Sequence, residues 1–358
     1  MRNTFGNNVT VTLFGESHGK AIGAVLDGIK PGIKIDLDFI KSQLNLRKPV
    51  GDISTSRVEA DNFEILSGVF EGYTTGAPIC IIIPNENTKS KDYSEIMNKA
   101  RPSHADYVAN VKYNGFNDYR GGGHFSGRVT VALVAVGAIA ISVLKEKGIS
   151  IGTHISKCAG INDVSFCDLE KEINLLNQKQ FAVIDDVKGE LMKQSIMNAK
   201  LEGDSVGGLL ETAVTGLPIG LGEPWFDSVE SMLSHALFSI PAIKGVEFGA
   251  GFKFADMTGS NANDAFYMDN GTVRTKTNNN GGINGGITNG MPVIFRCAVK
   301  PTPTISKEQN TVDFKNKEDT VLASRGRHDP CIVHRARVVV DSMTALVICD
   351  LLASGAEW

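Results

Sequence analysis

The stretch VTVALVAVGAIAISVL at residues 129–144 decides the fold class of this chain. Only Thr130 and Ser142 carry polar side chains among its sixteen residues. An apolar run of this length, with alanine and glycine throughout, predicts a helix that is buried on all sides. Its many β-branched residues are the one feature that weakens the helix prediction. A helix of this kind needs other elements packed around it, so the sequence predicts a large internal core.

A glycine-rich segment, RGGGHFSGR at residues 120–128, comes immediately before this predicted helix. The N-terminus of a helix presents free backbone N–H groups and the positive end of the helix dipole, which favour anions. Its two arginines suit phosphate or carboxylate. The segment matches neither the Walker A pattern nor the G-x-G-x-x-G dinucleotide pattern. We interpret it as an anion-binding loop, with a simple turn into a buried helix as the alternative.

The remaining pattern predicts a mixture of strands and helices. Strands are predicted at residues 9–14, 22–29, 63–69, 77–83, 206–216 and 292–299. Helices are predicted from an N-cap at Asp36 or Asp38, twice within 168–202, at 227–237 and at 336–352. Residues 261–290 are rich in Gly and Asn, which favours long loops rather than packed elements. No linker divides the chain, so residues 1–358 are expected to form one domain.

Two short segments each place a histidine after a serine. GESHG at residues 15–19 follows a predicted strand, and RPSHADY covers residues 101–107. Imidazole exchanges protons near neutral pH, so His18 and His104 are candidate acid–base groups. The alternative is that both are ordinary polar residues at the ends of elements. The chain has no H-x-x-H or clustered Cys/His pattern, so no metal site is expected.

Two further segments combine cations with stiff turns. KPTPT at residues 300–304 follows a predicted strand and could hold a phosphate or the edge of a flavin. RGRHDP at residues 325–330 places Asp329 among arginines, where a carboxylate stays ionised and can accept a proton. A strand-ending turn and a surface charge cluster are the respective alternatives. Together these segments predict an enzyme that acts on a small polyanionic substrate, without indicating the reaction.

The composition narrows the class of protein. The 358 residues carry a formal net charge of −4 and are 42% hydrophobic. This charge gives no reason to expect a nucleic-acid or membrane-surface partner. No run reaches ~18 uninterrupted apolar residues, so no membrane span is expected, and the N-terminus does not resemble a secretory signal. The six scattered cysteines are typical of reduced thiols in a cytoplasmic protein.

The order of the motifs resembles the chorismate synthase family. GESHGKAIGAVLDGIKPG, RPSHADY, YRGGG, SGR, GLGEP, HALFSIPAIKGVEFG, KPTPT and RGRHDPC occur in the family's order between about residues 5 and 352. The resemblance implies an α+β fold, a β-α-β sandwich of antiparallel sheets and helices, assembled as a homotetramer. It also implies the trans-1,4 elimination of phosphate from 5-enolpyruvylshikimate 3-phosphate. Reduced FMN is required, although the reaction has no net redox change.

The same resemblance implies roles for individual residues. Those expected to take part in catalysis are His18, His104, Asp329, Ser17 and Ser126. Those expected to contact the flavin are His124, Phe125, Ser126, Pro241, Ala242, Gly285, Lys300, Pro301, Thr302, Pro303, Thr304 and Arg327. Those expected to contact the substrate are Arg47, Arg128 and Arg327.

Some positions depart from the common family pattern. His124 and Phe125 stand where many members have Arg-Ser, and Val129 stands where many have Glu. Either another cation replaces the missing arginine, or His124 does so with a pH-dependent charge. Nothing resembles an additional reductase domain, so reduced FMN is expected from an external flavin reductase or from NADPH-linked reduction. A flavoprotein oxidoreductase and a silent anion-binding protein are the competing hypotheses.

Overall fold

The computed structural model describes residues 3–49, 51–55, 59–86, 97–323 and 329–355. Its helices are α1 (Leu37–Leu46), α2 (Asp106–Lys112), α3 (Thr130–Glu146), α4 (Leu169–Leu176), α5 (Asp186–Leu201), α6 (Val229–Ser239), α7 (Gly259–Ala262) and α8 (Val333–Ala353). The predicted buried helix is confirmed as α3, and Asp36 caps α1 by accepting a hydrogen bond from the backbone N–H of Phe39. The helices predicted near residues 168–202, 227–237 and 336–352 are confirmed as α4 to α6 and α8.

Two five-stranded antiparallel sheets account for most of the strands. The first runs in the order β1 (Thr4–Phe5), β2 (Thr10–Gly15), β3 (Ala21–Asp27), β7 (Ile79–Pro84) and β4 (Glu64–Ser67). The second runs in the order β11 (Ile243–Phe248), β16 (Val293–Val299), β10 (Gly208–Thr215), β8 (Ser150–Cys158) and β9 (Ile161–Asn162). Two-stranded pairs are β5 (Val69–Phe70) with β6 (Tyr73–Thr74), β12 (Phe266–Asp269) with β13 (Thr272–Thr275), β14 (Ile283–Asn284) with β15 (Ile287–Thr288), and β17 (Gln309–Asp313) with β18 (Glu318–Leu322).

The helices α3 and α8 lie between the two sheets. α3 packs against β3 and β7 of the first sheet, and α8 packs against β8 and β10 of the second. The helices approach closely at Gly137, where an added Cβ would lie 2.3 Å from the Cβ of Ser342. Alternation along the strands turns one face of each sheet toward this helical layer. The predicted α+β sandwich of antiparallel sheets and helices is confirmed.

The sequence contains no uninterrupted apolar run of ~18 residues, so no membrane span is expected from it. The helical stretch Gly127–Glu146 is nevertheless long and apolar enough to span a membrane by length and composition alone. In this fold, 83% of its most apolar window is buried. That burial is typical of a core helix, because a helix buried on all sides is as apolar as a membrane span.

The prediction of long loops at residues 261–290 is wrong. This segment contains the end of α7 and the two hairpins β12–β13 and β14–β15. The Asp264 carboxylate accepts hydrogen bonds from the Thr277 hydroxyl and from the backbone N–H groups of Asn279 and Asn280. Asn and Gly favour tight turns as well as loops, and here they supply the turns of short hairpins.

A buried ion pair joins α8 to its neighbours. The Arg337 guanidinium donates to Asp341 at 2.9 Å and to the carbonyl oxygens of Leu176 and Lys179 at the end of α4. The Thr153 hydroxyl of β8 donates to the other carboxylate oxygen of Asp341 at 2.6 Å. Burial raises the pKa of Asp341, although Arg337 and Thr153 oppose this shift. The pair therefore anchors α8 at the cost of desolvating two charges.

We expect Arg337→Met to lower the free energy of unfolding by about 3–5 kcal/mol, because it leaves the Asp341 carboxylate buried without its cation. The double variant Arg337→Met/Asp341→Leu should regain much of this loss, since no unpaired charge remains. Urea unfolding of both single variants and the double variant measures the coupling. Additive losses in the double variant would contradict the interpretation.

His154 lies on the opposite face of β8 between two carboxylates. Its Nδ1 is 2.9 Å from Asp163 Oδ2 and its Nε2 is 3.0 Å from Glu211 Oε2. Burial would lower the pKa of His154, but hydrogen bonds with Asp163 and Glu211 raise it overall. The chain of charges continues through Arg296, which donates to Glu211 and to Glu247.

A histidine with a raised pKa in the folded state stabilises the fold fully below its unfolded pKa. We therefore expect the His154 contribution to be complete below about pH 6.5 and to disappear as pH rises through the folded value. As pH rises from about 6.5 to the folded pKa of His154, the free energy of unfolding should fall more steeply in the wild type than in His154→Gln. Identical pH slopes for the two proteins, measured by urea unfolding, would refute this assignment.

Candidate active site

A cavity of about 1250 Å³ opens where the N-terminal ends of α3 and α8 meet the first strands. One wall is apolar and includes Leu13, Leu133, Ile243 and Met343. Pockets for one drug-sized ligand usually measure about 300–1,000 Å³. This cavity therefore has room for more than one small ligand.

Positive charge dominates the cavity lining. Among the lining residues that the structure describes, eight are lysine or arginine and four are aspartate or glutamate. The cations are Arg47, Lys48, Lys99, Arg101, Arg128, Lys244, Lys300 and Arg335, and the carboxylates are Glu59, Asp61, Glu308 and Asp329. The whole chain has the opposite balance, with a formal charge of −4. A basic cavity in an acidic protein favours anionic ligands.

Two of these arginines are buried beside a single carboxylate. Arg47 and Arg128 are each less than a tenth exposed, and both lie against Asp61. Burial and the neighbouring cation of Arg335 lower the pKa of Arg47 to about 9, so the group stays charged at neutral pH. The Nη2 of Arg128 is buried and has no hydrogen-bond partner within the described ranges. An unsatisfied buried guanidinium N–H is a ready donor to a bound anion.

His18 follows β2 and is held by the serine before it. The Ser17 hydroxyl lies 3.0 Å from His18 Nδ1 and 3.2 and 3.3 Å from the carbonyl oxygens of Arg120 and Gly121. When this hydroxyl donates to a carbonyl, it can accept a hydrogen bond from Nδ1–H. That arrangement anchors the ring through Nδ1, and the imidazole lines the cavity. Ser17 therefore orients the histidine and does not itself line the cavity.

His104 lies in a tight turn before α2. Its Nδ1 is 2.8 Å from Asp106 Oδ1, and its ring lines the same cavity as His18. Burial would raise the pKa of Asp106, but hydrogen bonds from Arg101 and His104 hold it well below the usual range. The ionised Asp106 carboxylate therefore faces Nδ1 of His104.

The glycine-rich segment brings the two histidines together. Gly121 and Gly122 both have positive φ, 60° and 89°. An added Cβ at Gly121 would lie 2.2 Å from Cε1 of His18, and one at Gly122 would lie 3.3 Å from Cε1 of His104. Neighbouring glycines therefore contact one imidazole each. Two segments that lie more than eighty residues apart in sequence thus meet on one turn.

Asp329 lies just before α8 and is held by two donors. The backbone N–H of Thr55 donates to Oδ1 at 2.7 Å, and Arg335 donates to Oδ2 at 2.5 Å. Arg335 also donates to the carbonyl oxygen of Arg47 at 3.0 Å. These bonds hold the Asp329 carboxylate in place and connect it to the buried arginines.

Most of the predicted flavin-contact residues line this cavity. They are His124, Phe125, Ser126, Pro241, Ala242, Lys300, Thr302, Pro303 and Thr304. The backbone N–H of Lys300 donates to Ala242 at 2.9 Å, which joins two of the predicted segments. Gly285 lies in the β14–β15 hairpin, and neither it nor Pro301 lines the cavity. Arg327 lies outside the described residues.

The departures from the family pattern also face this cavity. Nδ1 of His124 is 2.7 Å from the carbonyl oxygen of Gly15, so it donates there and leaves Nε2 for a ligand. Phe125 is partly exposed and contacts Tyr113 edge-on, and Val129 is buried at the start of α3. His124 therefore occupies a position from which it could replace an arginine when protonated.

Sequence reasoning missed four residues that shape the site: Asp61, Arg101, Asp106 and Arg335. Asp106 and Arg101 lie inside the RPSHADY segment, so their spacing from His104 was an available signal. Arg335 lies six residues after Asp329, so this spacing was available too. Asp61 carries no local signal, because its partner Arg128 becomes a neighbour only after folding.

Comparison with known proteins agrees with this geometry. The family model described as chorismate synthase matches residues 9–353. The chain belongs to the chorismate synthase family. Its chorismate synthase relatives include those of Thermococcus gammatolerans (46% identical) and Pyrococcus abyssi (47% identical), each over 99% of this chain and 98% of the relative. The Phocaeicola vulgatus relative is 44% identical over 98% of this chain and 97% of its own length.

A solved crystal structure of a chorismate synthase is also similar. It has a TM-score of 0.77 and 32% sequence identity, and the match covers 98% of this chain and 93% of that chain. The chain is therefore an enzyme with the activity of the chorismate synthase family, a carbon–oxygen lyase of the shikimate pathway. The resemblance inferred from the motifs is confirmed.

We expect Gly121→Ala to lower turnover by about 100-fold, because its methyl group would displace the His18 imidazole. The matched control is Gly115→Ala. Gly115 has a similar φ of 78°, but its added Cβ would meet only the Asn110 side chain at 3.7 Å. Both variants should lose about 1–2 kcal/mol of stability from the left-handed backbone. Equal turnover in the two variants would show that the contact with His18 is unimportant.

Proposed function

We propose that this chain converts 5-enolpyruvylshikimate 3-phosphate to chorismate and inorganic phosphate, with reduced FMN bound in the same cavity. The observation that carries the proposal is the surplus of cations in the described cavity lining, above all the buried Arg47 and the unpaired Nη2 of Arg128. The proposed substrate has one phosphate and two carboxylates, and FMN adds a second phosphate. A cavity with four more cations than carboxylates suits this combined negative charge.

The residues present fit a flavin. The cavity combines an apolar wall with basic and hydroxyl groups, and the Thr302 hydroxyl is buried without a hydrogen-bond partner in the described part of the chain. The residues that would hold the flavin are His124, Phe125, Ser126, Ala242, Lys300, Thr302, Pro303 and Thr304. When bound, reduced FMN supplies electron density to the substrate ring as phosphate departs.

We assign the proton transfer to the departing phosphate to His18. In the imidazolium form, Nδ1–H donates to Ser17 and Nε2–H can donate to a phosphate oxygen. Transfer of this proton neutralises charge that develops on the leaving group. Arg47 and Arg128 supply fixed positive charge beside it, because both are buried in a lining that excludes much of the solvent.

We assign the other proton functions to His104 and Asp329. His104 would protonate or orient the reduced flavin through Nε2, since Nδ1 faces Asp106. Asp329 would accept the proton lost from the substrate ring, because Thr55 and Arg335 hold its carboxylate in the cavity lining. The Ser126 hydroxyl accepts a hydrogen bond from the Arg128 backbone N–H and supports this relay from the glycine-rich segment.

The wider setting of the enzyme belongs to the same proposal. We expect one domain per chain, a cytoplasmic homotetramer, and no nucleic-acid or membrane partner. Reduced FMN would come from an external flavin reductase or from NADPH-linked reduction. Gly285 and Arg327 remain proposed flavin contacts, with Arg327 also contacting substrate, and Pro301 is expected to stiffen the turn that holds its neighbours.

The decisive experiment is anaerobic. Purified protein is mixed with photoreduced FMN and 5-enolpyruvylshikimate 3-phosphate, and chorismate absorbance and phosphate release are followed together. The lyase predicts many turnovers per flavin, equal amounts of the two products, and none with oxidised FMN. A flavoprotein oxidoreductase would instead consume one reductant per turnover. Flavin binding without any product would favour the silent anion-binding protein.

We expect the double variant His18→Ala/His104→Ala to lose most of the turnover, by at least about 100-fold, because each general acid contributes at least that much. Binding of oxidised FMN, measured by flavin fluorescence, serves as the control for an intact cavity. Turnover close to that of the wild type would show that the proton-transfer assignment is wrong.

A further inference from the structure

Asp106 is the first residue of α2 and lies two residues after His104, with which it pairs. Its Oδ1 lies 2.8 Å from His104 Nδ1. Arg101 holds the same carboxylate through Nε to Oδ2 and Nη2 to Oδ1, each at 2.7 Å. The Arg101 backbone N–H adds a third bond to Oδ2 at 3.1 Å. The carboxylate is therefore fixed on one side by arginine and faces the imidazole on the other.

The turn that carries His104 is pinned independently. Ser103 has a positive φ of 57°, which is uncommon for a residue with a side chain. Its carbonyl oxygen accepts a hydrogen bond from the Lys300 ammonium at 2.8 Å, and the His104 N–H donates to the Arg101 carbonyl at 3.0 Å. A strained backbone held by several partners is typical of a functional site.

The hydrogen on Nδ1 can be assigned from these contacts. Arg101 Nη2 also lies 3.2 Å from Nδ1 and could donate only to an unprotonated Nδ1. That tautomer would place the Nδ1 lone pair 2.8 Å from an ionised Asp106 oxygen, which is unfavourable. The shorter contact to an ionised carboxylate decides in favour of an Nδ1 hydrogen donated to Asp106. The other ring nitrogen, Nε2, then lies 3.4 Å from the position of an added Cβ at Gly122, beside the cavity.

We propose that Asp106 is a positioning residue that holds the imidazole of His104 in the Nδ1–H tautomer. Nε2 is then the only ring atom of His104 that exchanges protons with the cavity. The catalytic part of this inference rests on the proposed function, whereas the tautomer does not. The neutral ring then offers Nε2 as an acceptor and the protonated ring offers it as a donor, in one fixed place.

The test compares Asp106→Asn with the wild type by ¹⁵N NMR of histidine-labelled protein without flavin or substrate. We expect the wild-type ring to show Nδ1 protonated and Nε2 unprotonated at high pH. In Asp106→Asn, the Nε2–H form should become populated, since Nδ1 no longer faces a carboxylate and Arg101 can donate to it. Wild-type nitrogen shifts in Asp106→Asn would overturn the proposal.

Two further variants separate positioning from a general effect on the fold. Asp106→Glu keeps the charge and should retain the Nδ1–H form, and it provides the test if the Asn variant does not fold. Loss of the Nδ1–H form in Asp106→Glu would then count against the proposal. Asp118→Asn removes a neighbouring carboxylate that pairs with Arg120 and contacts no histidine ring by hydrogen bond. The His104 signals should be unchanged in that control, and an equal change there would overturn the proposal.

Turnover gives the second readout. We expect Asp106→Asn to lower kcat by roughly 10-fold to 100-fold with little change in KM for the substrate, and to shift the acidic limb of the pH profile. Asp106→Glu should restore part of the rate. Unchanged kcat with an altered tautomer would overturn the catalytic part. Absence of lyase activity in the wild type, with the expected tautomer change, would instead count against the proposed function.

Discussion

The close packing of α3 on α8 is the constraint on which the rest of the molecule depends. Both helices are buried almost throughout, and Gly137 lets α3 approach the Ser342 side chain. Each helix covers one of the two antiparallel sheets, so the pair holds the sandwich together. The same packing brings both helix N-termini to the cavity, where their dipoles favour negative charge. Core packing and the position of the anion site are therefore linked.

The cavity is built at a cost in stability. Arg47 and Arg128 are buried with one close carboxylate, Asp61, between them. Desolvation of these cations is unfavourable, and bound anions would offset it. The charge surplus of the cavity contrasts with the net negative charge of the chain. Selection for ligand binding, rather than for stability, accounts for this arrangement.

Three imidazoles of the site are controlled in the same manner, each through its Nδ1. His18 contacts a serine hydroxyl, His104 contacts a carboxylate, and His124 contacts a carbonyl oxygen. The three partners therefore differ in charge, from a neutral hydroxyl and carbonyl to an ionised carboxylate. The glycine-rich segment touches all of them, because it supplies His124 and contacts the other two rings. Its left-handed glycines are therefore part of the chemistry as well as of the turn.

The sequence by itself determined the family, the buried helix α3, the cap of α1 and the candidate residues His18, His104 and Asp329, because these depend on local pattern and on motif spacing. Only the tertiary structure decided which groups pair. Asp61 meets Arg128 across sixty-seven residues, and Asp329 meets Thr55 across 274. It also decided that residues 261–290 form hairpins. Asn and Gly fit loops and tight turns equally well, and distant contacts such as those of Asp264 select between them.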